Sequence, residues 1–567
     1  MKKIIVAALS VVILFIAGCG SSETAGRTGR TSSLIAEKYA PQSTIAMISF
    51  SSFEKLFSLF EIDKNDVINQ HLTMVDRNEI VSVLGFDPLS LSGYEKIGFD
   101  TNREFGLVLS SLHIEGEAIE TSSGSFALLL PVTNKNDFIG FIRERSAVLP
   151  QMGLTYSEEN DMLKIGIEGE DSVLMTIKSD GDYVAVNISM NRNENAAAFF
   201  ASSEKLAATP FYKEVAGEIN MGSDAVFYFD SKKFMDHNAK GLEHLSGSDD
   251  GTFDFLKNNR GSAIVADLSS PDLVVSSVGF VEKNNIMHRL NDAVDDKSVI
   301  TGFEKKPALI LALFFNARQY MDYILSTLPE SCSANEFRRQ LRSIKDTVGI
   351  DVEDEIIDQL AGSFNIGIFD AATINMMQYN LVVNFNINDR EKFINTIDRF
   401  ASFANMVKMS EQEISDLSGG RKVGDKTDAY SVNLGMMIAY LVIEDNKVTL
   451  STNRNLASNI LDGSRKKYID SIEKELARNL KTHNNYIYID FSEAYTAAKT
   501  VYSFVSAFIG GGSIFDANTD KLAANLKYLY AYSNFDGKMV KAEFIIKTGF
   551  KKPFFQSMKE EIGKLNL

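Results

Sequence analysis

Self-similarity at a spacing near 264 residues limits what this 567-residue chain can fold into more than any other feature. Val83-Leu84-Gly85-Phe86-Asp87 matches Thr347-Val348-Gly349-Ile350-Asp351 at an offset of 264, and Ile45–Phe50 matches Leu309–Phe314 at the same offset. Ser179-Asp180-Gly181 matches Glu444-Asp445-Asn446 at 265, Phe227–Asp230 matches Ile487–Asp490 at 260, and Asp272 matches Asp536 at 264. Phe126–Ile142 matches Asn380–Ile397 at about 255. Six blocks in one order and at near-constant spacing predict two homologous units in tandem, 34–297 and 298–567. A period this long means duplicated domains, because solenoid repeats recur every 20–50 residues or so. Units of this length can each bury a core without disulfides.

The blocks also have local readings. Gly85 and Gly349 follow helical stretches and precede an apolar residue, the Schellman ending in which only Gly reaches positive φ cheaply. Asp87 before Pro88, and Asp351 before Asp354, are placed to cap the next helix. Phe126–Ile142 reads as a strand running into a helix. In its counterpart, Asn388 and Glu391 have capping-box spacing. Phe138 with Ile142, and Phe393 with Ile397, share a helix face. Leu163–Ile167, Val173–Ile177 and Tyr183–Ile188 are short strands, with turns at Ser179–Asp182 and Asp445-Asn446. Ala263–Asp267 and Leu273–Val281 form a hairpin, and Phe535-Asp536-Gly537 is the last turn. Strands joined by tight turns pair antiparallel. The expected fold class is therefore α+β: two tandem units, each a largely antiparallel sheet with covering helices.

The amino terminus addresses location. Lys2-Lys3 precedes an apolar run, Ile4–Ala17, that is too short for the ~20 residues of a spanning helix. It ends in Ile16-Ala17-Gly18-Cys19, which resembles the lipobox of bacterial lipoproteins. The resemblance implies a signal peptide over 1–18, cleavage between Gly18 and Cys19, and lipidation of Cys19. It makes the membrane the first expected partner, through acyl chains that each bury many CH₂ groups. Residues 19–33 are then the lipidated Cys and a Ser/Thr/Gly-rich tether. By lipoprotein sorting, Gly20 favours the outer membrane, on its periplasmic side, if the cell has two membranes. The Gly-Phe-Asp corner and the strand-to-helix blocks loosely resemble those of uncharacterised envelope lipoproteins with paired domains, which implies no activity.

Composition narrows the function classes. A net charge of −17 opposes nucleic-acid binding, which needs a basic surface. Two Cys and six His exclude a Cys-rich metal site, and no metal or cofactor is expected. Asp236-His237 and Glu243-His244 read as a solvated helix end. Gly419–Thr427 superficially resembles a phosphate loop, but Asp425 puts a negative charge where phosphate would sit and the segment leads into a strand. Gly510–Ser513 follows a helix, not the strand that a dinucleotide loop needs. No nucleophile elbow appears.

One asymmetry stands out. Ala494–Ile509 is apolar where its counterpart, Phe234–Ser246, is polar. Tyr495, Val501, Tyr502, Val505, Phe508 and Ile509 cover more than one helix face, which means packing inside the protein or contact with something apolar. The expected function is a membrane-anchored envelope lipoprotein with a non-enzymatic binding or structural role, its partner an envelope protein, lipid or solute. The alternative is a solute- or lipid-binding lipoprotein that delivers a ligand to an envelope transport system. An envelope hydrolase built from scattered carboxylates is a third reading.

Overall fold

The structure is a computed structural model. It describes residues 32–60, 81, 85–87, 90–113, 123–147, 149–169, 173–190, 196–245, 258–283, 285, 287–288, 307–314, 316–327, 334–369, 380–401, 405–420, 423, 426–435, 437–461, 474, 478, 485–509 and 517–564. The expected signal segment, Gly18 and Cys19 lie outside these residues, as do Gly510–Ser513.

The chain divides into two compact units. One runs to Glu282 and takes in Phe550–Glu560; the other runs from Lys283 to Gly549 and takes in Glu561–Leu567. The division falls at 282/283, where the sequence reading expects 297/298, and the first unit also draws on the carboxyl-terminal segment.

The first unit has strands β1 (Ala46–Phe50), β2 (Phe105–His113), β3 (Ser123–Pro131), β4 (Leu154–Glu159), β5 (Met162–Ile167), β6 (Val173–Asp180), β7 (Tyr183–Met190), β8 (Ala225–Phe229), β9 (Asn259–Asp267) and β10 (Leu273–Val281). Their pairings are antiparallel and run β4-β5-β6-β7-β3-β2-β1-β8-β9-β10. The second unit has β11 (Pro307–Phe314), β12 (Leu360–Phe369), β13 (Leu381–Ile387), β14 (Met406–Lys408), β15 (Thr427–Asn433), β16 (Ile438–Glu444), β17 (Lys447–Ser451), β18 (Asn485–Asp490), β19 (Leu526–Phe535) and β20 (Met539–Thr548). Their order, β14-β15-β16-β17-β13-β12-β11-β18-β19-β20, uses the same connections, again antiparallel. The fold is α+β.

Alternation along the strands explains why helices cover the sheets. Burial alternates residue by residue along β9 and β18, as a period of two requires when one face is buried. Helix Ser231–Leu245 follows β8 and packs on β2 and β9, while helix Phe491–Ile509 follows β18 and packs on β11 and β19. One buried face of the second unit's sheet is rich in Tyr. Tyr486 and Tyr488 on β18 stand opposite Tyr532 and Tyr530 on β19, and all four are buried beside Ile310 and Phe369.

The repeated Tyr-x-Asp block does the same work in both units. The buried Asp230 accepts the Lys233 N–H at 2.9 Å and the buried Asp490 accepts the Glu493 N–H at 3.0 Å, so each caps the helix after its strand. Burial and the neighbouring Asp230 push the Tyr228 hydroxyl far above its ordinary pKa. Tyr488 instead donates to Asp490 at 3.2 Å.

The glycine corners are as expected. Gly85 and Gly349 have φ of 78° and 73°, and their N–H groups reach Val81 at 2.7 Å and Lys345 at 2.8 Å. Asp351 caps as expected, accepting from Glu353 at 3.1 Å and Asp354 at 3.2 Å. Two caps differ. Helix Leu91–Lys96 has Ser90, not Asp87, at its N-cap, and Asp87 instead offers its carbonyl to the Ser90 N–H at 3.1 Å. Helix Arg390–Ala401 is capped by Asp389, which accepts the Lys392 N–H at 3.0 Å. Asn388 is engaged elsewhere, because its side chain donates to the Asp358 carbonyl at 2.7 Å and ties the end of β13 to the preceding turn.

Candidate functional site

In the first unit β1 lies between β2 and β8 and runs antiparallel to both, so its carboxyl end meets the amino ends of its two neighbours. Phe50 stands opposite both Phe105 and Ala225. The segments that leave and enter there are Ser51, Asn102–Glu104 and Met221–Ser223. With Ser32–Leu34 they line a cleft of about 310 Å³.

Glu104 organises one wall. Its carboxylate accepts the N–H groups of Leu34 at 2.7 Å and Ile35 at 3.5 Å, together with the Ser33 hydroxyl. Ser33 in turn caps the short helix Leu34–Lys38. These bonds fasten the end of the tether-like segment to the body. Ser32 Oγ lies 3.3 Å from the Tyr212 hydroxyl, which burial pushes up to about 12. Arg103 pairs with Asp182 at 3.2 Å and lies over the Tyr183 ring at 5.0 Å. Tyr183 donates to the Glu104 carbonyl at 2.7 Å.

Asp224 braces the opposite wall. It accepts from Ser51 Oγ at 3.0 Å, Lys55 Nζ at 2.8 Å, the N–H groups of Leu268 and Ser269 at 3.1 and 2.9 Å, and Ser269 Oγ at 2.6 Å. Burial pushes its carboxyl up, but the Lys55 and Ser269 hydrogen bonds outweigh that, and the net pKa lies below the usual carboxylate range. The cleft thus offers hydroxyls, a guanidinium and a carboxylate that already accepts backbone N–H groups. That is a set for holding a small polar group by hydrogen bonds.

The structure brings few of the sequence-derived residues into one place. Tyr495 is half-buried on helix Phe491–Ile509. Its hydroxyl bonds Thr519 at 3.0 Å and Asp520 at 2.7 Å on helix Ala517–Asn525, and Lys499 joins Asp520 at 2.7 Å. Tyr502 is half-buried on the same helix. The side chains of Val501, Val505, Phe508 and Ile509 lie outside the described residues. His237 stacks edge-on to His113 at 5.5 Å and bonds the Lys233 carbonyl through Nδ1 at 2.6 Å. Among the described residues no group of three or more His, Cys, Asp and Glu could hold a metal ion. Gly419–Thr427 runs into strand β15. Sequence reasoning missed Glu104 and Asp224, since their partners lie 70 and 44 residues away and no local pattern marks them.

No family model and no curated protein matches the chain. Solved structures that match include crystal form IV of TP0453, a Treponema lipoprotein, at 9% identity and a TM-score of 0.24, covering 44% of this chain and 83% of that one. Crystal form III of TP0453 matches at 10% identity and a TM-score of 0.24, covering 47% and 90%. Likeness at this level carries no functional argument. Among the described residues no helix is long and apolar enough to cross a membrane.

Proposed function

We propose that this chain is a lipid-anchored protein of the bacterial envelope that works by binding, through its two α+β units. The observation that carries the reading is the run from Lys2-Lys3 through the apolar segment to Ile16-Ala17-Gly18-Cys19, followed by a polar tether. The latch of Ser33 and Leu34 onto Glu104 supports it, because it gives the tether a fixed point of entry. On this reading the anchored form partitions into detergent and carries acyl mass on Cys19, and Cys19→Ser abolishes both. Mass spectrometry of the mature amino terminus checks this; an unmodified Cys19 in membrane-extracted protein would rule the anchor out.

The cleft of about 310 Å³, lined by hydroxyls, Arg103 and Glu104, favours a second reading, a carrier that delivers a small polar solute to a transport system. Native mass spectrometry of residues 20–567 separates the two. A reproducible added mass of solute size supports the carrier, and a clean apo mass shifts weight to a protein-binding or structural role. The apolar face expected from Tyr495, Val501, Tyr502, Val505, Phe508 and Ile509 is a further contact surface on either reading. It is dropped if Val505→Asp leaves binding unchanged in a folded protein.

A further inference from the structure

Two imidazoles that lie far apart in the chain meet in the first unit. His113 is the last residue of β2 and is half-buried. His237 is exposed on helix Ser231–Leu245. Their ring centres are 5.5 Å apart, with the ring planes at 61°. No short spacing marks them as a pair in the sequence.

Both rings stand on fixed elements. Asp230 caps the start of the helix, and Lys233 Nζ donates to the Gln42 carbonyl at 2.6 Å and the Thr44 carbonyl at 3.2 Å. One residue beyond His237, the buried Asn238 donates to the Leu112 carbonyl at 2.9 Å and to the Phe234 carbonyl at 2.8 Å. The first of these bonds ties the helix to the strand immediately beside the two His. Their approach is therefore held by the backbone and not by the rings themselves.

Hydrogen bonding decides what the rings can do. His237 Nδ1 lies 2.6 Å from the Lys233 carbonyl. A carbonyl only accepts, so Nδ1 carries the proton, and in the neutral ring Nε2 keeps its lone pair. A backbone carbonyl on the far nitrogen is the usual support of a metal-ligating His. Among the described residues, His237 Nε2 and both nitrogens of His113 have no hydrogen-bond partner. The His113 ring can therefore turn about χ2. A zinc-type ion about 2.0–2.1 Å from one nitrogen of each ring lies about 3.2 Å from each ring centre. Ring centres 5.5 Å apart then subtend about 120° at the ion, within reach of tetrahedral geometry.

We propose that His113 and His237 together bind a divalent transition-metal ion of the zinc type. Imidazole suits Zn²⁺, Cu²⁺ and Ni²⁺, whereas Mg²⁺ and Ca²⁺ take oxygen ligands. Two imidazoles fall short of the closed four-ligand set of a structural zinc site, so the ion exchanges and keeps open positions for water. The inference departs from the sequence expectation of no metal, and it is independent of the lipid anchor and of the cleft.

The test uses the mature chain from residue 19 carrying Cys19→Ser and no polyhistidine tag. Calorimetric titration with Zn²⁺ and with Mg²⁺ compares this parent chain with His113→Ala, His237→Ala, the double variant and His288→Ala, a His that instead packs on the Phe535 ring. The expected result is a Zn²⁺ site that weakens about tenfold or more in either single variant, is unchanged in His288→Ala and ignores Mg²⁺. An ion that bridges β2 and the helix also stabilises the fold, so Zn²⁺ should raise the urea midpoint of the parent and of His288→Ala but not of the other variants. Circular dichroism without metal checks that each variant is folded, and His237→Gln, which keeps a polar side chain on the helix, should lose the site as His237→Ala does. The proposal is overturned if the parent binds no more Zn²⁺ than the double variant, which would leave the pair as ring packing only. It is equally overturned if either single variant binds as tightly as the parent, which would place the ion on other groups.

Discussion

Asp224 shows how much one side chain can hold. Its two carboxylate oxygens join the start of β8, the turn after β1 and the turn between β9 and β10. The hydrogen bonds favour the charged form in the folded protein, so the folded pKa lies below the unfolded value. That contribution is present above the ordinary carboxylate pKa near ~3.9 and is lost as pH falls through the lower, folded value. Asp224→Ala should cost about 1–2 kcal/mol at neutral pH, from the charge-assisted hydrogen bonds it removes, since the freed donors of Ser51, Leu268 and Ser269 are part-buried or exposed and can turn to water. Lys55 is 50% exposed, so its ion pair adds little. Urea unfolding at pH 7 and pH 3 checks this. The cost should shrink at pH 3, and an equal cost at both would show that charge is irrelevant. None of this was legible in Gly222-Ser223-Asp224, which reads only as a polar approach to a strand.

At the scale of single elements, glycine separates what a sequence shows from what packing shows. Gly349 ends a helix at φ 73°, and a Cβ there would meet nothing within 4 Å. Gly349→Ala should cost about 1 kcal/mol, from left-handed backbone strain alone. Gly106 lies on β2 facing β1, and a Cβ would sit 2.4 Å from the Ile48 carbonyl oxygen. Gly106→Ala must push paired strands apart and should cost about 2–3 kcal/mol. Thermal melts of the two variants test the order, and a larger loss at Gly349 would refute it. Gly349 could be read in advance because helix endings are local. Gly106 could not, because its constraint comes from a strand some sixty residues earlier. The displaced caps follow the same division: Asp389 takes the position expected of Asn388, whose side chain is bonded to the Asp358 carbonyl, and Ser90 stands at the cap expected of Asp87.

Across the whole molecule, the strand order that recurs in the two units follows from a repeated pattern of hairpins and strand-to-helix blocks. The carboxyl-terminal segment does not follow from it. Phe550–Glu560 belongs with the first unit, where Phe554 is buried and its N–H reaches the Ser270 carbonyl at 2.9 Å. Phe554→Ala should therefore destabilise the first unit by about 3 kcal/mol. Hydrogen exchange resolved along the chain tests this. Faster exchange in β9 and β10 with β12 and β13 unchanged is the expected pattern; faster exchange confined to β12 and β13 would contradict it.

The strands, hairpin turns, glycine helix endings and the α+β class could be read from the chain because each depends on residues within a few positions of one another. The proposed lipobox is equally local, since its reading rests on Ile16-Ala17-Gly18-Cys19 and the apolar run before it. Only the tertiary structure decided where the cleft lies, that Glu104 latches Ser33 and Leu34, that Tyr495 is held by Thr519 and Asp520, and that Phe337 and Ile344 face solvent. Those features depend on which distant segments a particular strand order brings side by side. Apolar spacing marks a helix face without saying whether protein or solvent will lie against it.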